Sequence, residues 1–123
     1  MKKVFVFDAD DTLWMNEWQY SAACAEYFAF IYRVFGEHAP TLKYVNRRYF
    51  QIDGSLYGAW GIRRGRVAES MRLCYEKIRV WAKDRFGHEF SIEERVRHLE
   101  RIAEHGDLPF DFTKLVWRPD ARR

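Results

Sequence analysis

The sequence predicts an α/β fold in which a buried strand delivers an acidic turn and a series of amphipathic helices follows. Three observations lead there. Val4-Phe5-Val6-Phe7 is a continuous apolar run of β-favouring residues, the pattern of a strand buried on both faces in a parallel sheet. It passes straight into Asp8-Ala9-Asp10-Asp11-Thr12, so three carboxylates fall where ligands usually bind in open α/β sheets, beyond a strand's C-terminal end. From about residue 16 to residue 106 the apolar residues then recur with helical spacing.

Four helices can be read in that stretch. The first is opened by Asn16, a candidate N-cap with Gln19 three positions on, and its apolar face is Tyr20, Cys24, Tyr27, Phe28, Ile31 and Phe35. Gly36 fits the left-handed position past its end. The second starts near Thr41, carries Leu42, Val45, Tyr49 and Ile52 on one face, and is expected to stop before Gly54. The third covers about residues 64–86, with the stripe Val67, Met71, Cys74, Ile78 and Ala82 and with Gly87 behind it. The fourth has the clearest start, a capping box of Ser91 and Glu94; its stripe is Ile92, Val96, Leu99 and Ala103, and Gly106 is expected to close it. Beyond it, Leu108-Pro109-Phe110-Asp111-Phe112 reads as an irregular apolar loop, Leu115-Val116-Trp117 as a short extended piece, and Pro119-Asp120-Ala121 as the first turn of a further helix.

Composition narrows the class. The 123 residues suit one domain, and 48% apolar content is enough to bury a core. With 32% charged residues and a net charge of only +3, nothing points to nucleic acid. No apolar run approaches the roughly 18 residues of a membrane span, and no secretory signal is legible at the N-terminus. Cys24 and Cys74 sit in helical patterns without metal-ligand spacing and read as buried thiols of a reducing compartment, so a cytoplasmic location is expected. A lone strand cannot satisfy its own backbone donors and acceptors. Strand partners for residues 4–7 are therefore expected from a missing C-terminal core or from a partner chain.

The chemistry concentrates at Asp8 and Asp10. Two carboxylates at i and i+2 beyond a strand can converge on one cavity and hold a hard cation such as Mg²⁺. One carboxylate can attack phosphorus as a nucleophile, and the other can protonate a leaving oxygen and then activate water. Like charges this close push one of the pair toward protonation, which suits a general acid. A solvated acidic turn that caps a helix is the plain alternative for an isolated Asp-x-Asp. Here the preceding apolar strand and the following Thr12-Leu13-Trp14 make the pattern far more specific.

Val4-Phe5-Val6-Phe7-Asp8-Ala9-Asp10-Asp11-Thr12-Leu13 resembles the first signature motif of the haloacid dehalogenase-like (HAD) superfamily. The resemblance implies a Mg²⁺-dependent phosphatase that acts on a small phosphate monoester through an aspartyl-phosphate. Asp8 would be nucleophile and metal ligand. Asp10 would be the acid/base and give its backbone carbonyl to the metal. Asp11 and Thr12 would belong to the phosphate-facing loop. It also implies a Rossmann-like core, with residues 1–15 as its first strand and catalytic loop, residues 16–107 as an inserted helical cap, and residues 108–123 as the return to the core. The family's phosphate-binding Ser or Thr, its Lys and its distal acids have no counterpart in order here, because neither Thr113, Lys114 nor Asp120 follows a core strand. The catalytic set is therefore expected to be incomplete within these residues.

Arg63, Arg64 and Arg66 cluster between the second and third helices. Such clusters are usually solvated helix starts. This one, set over an acidic metal centre, could also clamp a substrate phosphate through Arg63 and Arg64. Tyr57 and Trp60 read as helix-packing aromatics, and His38, His88, His98 and His105 as surface residues without metal-ligand spacing. The rival to the enzyme reading is a non-catalytic helical module that binds a protein partner and keeps a structural acidic turn.

Overall fold

The computed structural model describes residues 3–7, 12–60 and 65–107. The order is β1 (Lys3–Phe7), β2 (Thr12–Asn16), α1 (Glu17–Phe35), a 3₁₀ turn (Gly36–His38), α2 (Leu42–Trp60), α3 (Arg66–Phe86) and α4 (Ile92–Asp107). The architecture is helical, and the α/β expectation with its Rossmann-like core is corrected. The one sheet among the described residues has two strands, paired antiparallel with Val4 opposite Met15 and Phe7 opposite Thr12. The physical reason lies in the connection. Residues 8–11 are too few for the crossover of a dozen or more residues that parallel strands need, whereas antiparallel strands accept a short link. In Thr12-Leu13-Trp14-Met15-Asn16 the threonine and tryptophan are β-favouring, although in the sequence the segment merges with the approach to α1. The strand at residues 4–7 thus finds its partner inside the chain.

The helices bury one continuous core. Tyr27 and Ile31 of α1, Val45 and Tyr49 of α2, Met71, Cys74, Tyr75 and Ile78 of α3 and Ile102 of α4 are almost wholly buried. The apolar stripe of α3 therefore faces inward, with Arg72 exposed and Arg79 and Arg95 part-exposed at its flanks. Inside this core the Tyr27 hydroxyl donates to the Met71 carbonyl at 2.7 Å, which fixes α1 against the middle of α3. Gly87 ends α3 in the left-handed conformation, φ +69°, and its N–H donates to the Lys83 carbonyl. The expected capping box of α4 forms: the Glu94 N–H donates to Ser91 Oγ and the Ser91 N–H to Glu94 Oε1.

Three local expectations are corrected. α2 does not stop before Gly54 but runs through Gly54 and Gly58 to Trp60. α4 does not close at Gly106 but includes it, because this glycine serves packing. A Cβ there would stand 2.3 Å from the Ala68 Cα, so the backbones of α3 and α4 touch at this point. Finally, α4 is rolled away from its apolar stripe. Ile92 is 79% and Val96 49% exposed, whereas Ile102 and His105 are buried. The described helices include none long and apolar enough to cross a membrane.

Gly106→Ala tests the α3–α4 contact. In an ordinary helix interior the change stabilises by about 1 kcal/mol. Here the methyl meets backbone, and the expected result is a loss of about 1–3 kcal/mol in urea unfolding.

Candidate functional site

β1 ends at Phe7, so Asp8 follows the last strand residue directly. Asp8, Asp10, Asp11, Arg63 and Arg64 lie outside the described residues, and Thr12 opens β2 opposite Phe7. What the structure describes is a framework within the helices. α1 starts directly after β2, and α3 starts at Arg66, two residues beyond Arg64.

That framework is a buried polar network centred on Asp53, on the inward face of α2. Its Oδ1 accepts from Ser70 Oγ at 2.7 Å and from Arg66 Nε at 3.0 Å. Its Oδ2 accepts from the Tyr20 hydroxyl at 2.9 Å. The Tyr20 and Tyr49 oxygens stand 3.1 Å apart. Since Tyr20 gives its one proton to Asp53, Tyr49 donates to Tyr20. The Arg66 guanidinium also lies over the Tyr57 ring, 5.1 Å from its centroid. The ion pair is nearly enclosed, with side-chain exposures of 10% for Arg66 and 12% for Asp53. Tyr20 stands in the first turns of α1, Asp53 in the second half of α2, and Arg66 and Ser70 at the start of α3. One carboxylate therefore joins three helices, at the start of α1, the second half of α2 and the start of α3.

Burial sets the protonation of this region. It pushes the Tyr20 and Tyr49 hydroxyls far above the ordinary phenol range. The Cys24 thiol is pushed up to about 11, and so is that of Cys74, again chiefly by burial. Both cysteines are buried and free, and as protonated thiols they make poor nucleophiles. Among the described residues no group of three or more His, Cys, Asp or Glu could hold a metal ion.

Sequence reasoning misses this network. By composition Arg66 belongs to a basic surface cluster, yet in the fold it turns inward. The available signal is positional: Asp53 falls four residues after Tyr49 on the buried face of α2, and Ser70 lies among Val67, Met71 and Cys74. A charged residue on an apolar face implies a partner. The surface reading of the histidines is also corrected. His98 is half-buried and bonds Tyr75 through Nδ1 at 2.8 Å, while His105 is buried against Phe30 and lies 3.6 Å from Glu26. His38 and His88 stack with centroids 4.6 Å apart. Tyr57 is half exposed and covers Arg66 rather than filling a helix interface.

Asp53→Ala strands the Arg66 guanidinium without its carboxylate. The expected cost is about 3–5 kcal/mol in urea unfolding, and replacing Asp53 and Arg66 together by Leu and Met recovers most of it. Burial, against the pull of nearby Glu94 and Glu26, holds His98 and His105 below the ordinary 6.5. The unfolded chain then binds more protons than the folded one below that value, so stability falls as pH drops from about 6.5 toward 5. His105→Gln flattens this slope, as read from urea midpoints across that window. No protein-family model, no curated protein and no solved structure matches this chain.

Proposed function

We propose that this chain carries the nucleophile segment and the helical substrate-facing part of a HAD-type, Mg²⁺-dependent phosphatase acting on a small phosphate monoester. The observation that carries the reading is the pattern of residues 4–13 together with the end of β1 at Phe7, immediately before Asp8. The bundle adds one point: α3 starts at Arg66, two residues beyond Arg64, and Asp53 holds that start in place.

In this reading the Asp8 carboxylate attacks phosphorus and forms an acyl-phosphate, and the bond from phosphorus to the leaving oxygen breaks. Asp10 gives its proton to that oxygen. It then takes a proton from the water that attacks the acyl-phosphate, which frees inorganic phosphate and restores the Asp8 carboxylate and the protonated Asp10. The donor set fits Mg²⁺, since Asp8 and Asp10 offer oxygen ligands only, and a two-carboxylate site leaves the ion several of its waters. Bound there, Mg²⁺ supplies neutralisation of the phosphoryl charge. Arg63 and Arg64 are the cations of this chain that would meet the substrate's anionic group.

The second reading, a partner-binding helical module, is favoured by the outward apolar stripe of α4 at Ile92 and Val96. One experiment separates the two. In the full-length product of the gene, Asp8→Asn is expected to abolish hydrolysis of 4-nitrophenyl phosphate in Mg²⁺, with circular dichroism unchanged. Asp10→Asn is expected to lower it by about 10²–10⁴. Turnover that persists in Asp8→Asn rejects the phosphatase reading.

A further inference from the structure

The outer face of the α2–α3 pair has a feature that neither the core nor the acidic turn uses. Two adjoining clefts, of about 220 and 300 Å³, share Arg48 and Gln51. The first is completed by Tyr44 and Arg47. The second is completed by Ile52, Ser55, Leu56 and, from α3, Leu73. The first is half enclosed and the second is a shallow depression largely open to solvent, so a ligand here would lie along the surface with one side exposed.

The two ends differ in chemistry. At the first, Arg47 has no ion-pair partner among the described residues, and no carboxylate lines either cleft. The only acid of α2 is Asp53, which is committed to Arg66 on the inward face. Arg48 is held in place at the boundary. Its Nη2 donates to the Tyr44 hydroxyl at 3.4 Å, and its guanidinium lies 5.5 Å from the Tyr44 ring centroid. Tyr44 in turn leans on Trp81, centroids 6.1 Å apart. A guanidinium fixed in this way loses less freedom when it meets an anion than one free in solvent. At the second end, Ile52, Leu56 and Leu73 offer an apolar floor.

We propose that this groove binds a small amphiphilic anion, a phosphate monoester of an aromatic group. The phosphate would sit at Arg47 and Arg48 and the ring over Ile52, Leu56 and Leu73. Arginine forks match phosphate oxygens in pairs, and unpaired cations beside an apolar surface favour a ligand carrying both characters. The site is separate from Asp8 and does not depend on catalysis there.

The test is a titration of the folded chain, without Mg²⁺, with 1-naphthyl phosphate, followed by amide NMR shifts. The expected result is saturable binding with a dissociation constant near the millimolar range and shifts in residues 44–56 and at Leu73. Arg47→Ala with Arg48→Ala is expected to weaken it about tenfold or more. Gln51→Glu, which keeps both arginines but adds a negative charge between the clefts, is expected to weaken it as well and serves if the double variant misfolds. Asp8→Asn is expected to bind as the parent does. Inorganic phosphate alone and 1-naphthol alone are each expected to bind more weakly than the ester. The proposal is overturned by the absence of saturable shifts in the groove, by unchanged affinity in the arginine and Gln51 variants, by loss of binding in Asp8→Asn, or by equal binding of either half of the ligand.

Discussion

The carboxylate of Asp53 is the constraint on which the arrangement of the first three helices rests. A buried charge is tolerated only where its lone pairs are filled, and here donors arrive from three places in the sequence. Tyr20 brings the start of α1, Arg66 the start of α3, and Ser70 the next turn of α3. Each donor has a short reach, so satisfying the carboxylate sets the position of every helix end that contributes one. The apolar core below, from Tyr27 to Ile78, rewards proximity but is tolerant of sliding. Hydrogen-bond geometry is less forgiving than apolar contact, and it selects among the packings that the core would accept.

Much of the helical architecture was legible, and where it was, the signal was local. The stripe of α3, the left-handed Gly87 and the Ser91 and Glu94 capping box are each decided by residues within a turn or two of one another. The failures share the opposite character. Whether residues 4–7 pair in parallel with distant strands or antiparallel with residues 12–16 depends on a pairing that the apolar run itself does not encode. Gly54 and Gly58 weaken a helix intrinsically, yet α2 continues through both, because Tyr49 and Asp53 already anchor that stretch to α1 and α3.

The candidate site divides in the same way. The acidic turn announces itself by composition alone, since three carboxylates in residues 8–11 behind an apolar strand form a dense and unusual pattern. The polar framework of the bundle is spread over Tyr20, Asp53, Arg66 and Ser70, separated by up to fifty residues in the chain, and no short window contains it. The groove on the outer side of α2 was equally hidden. Arg47 and Arg48 look like routine surface charge until the fold shows that Asp53, the one acid of their helix, points the other way.

The close approach of Gly106 to Ala68 bears on how α4 is oriented. By hydrophobicity alone the helix would turn Ile92 and Val96 inward, yet it presents His98 and His105 to the bundle. Gly106 is the single residue of α4 without a side chain, so only one angular setting brings bare backbone against α3. In that setting the two helices approach as closely as their backbones allow, and the many weak dispersion attractions along the seam offset the apolar surface left outside. The glycine thus acts as a key cut for one rotation. It chooses which face of α4 is interior, and by that choice it creates the apolar ridge that the molecule shows to its surroundings.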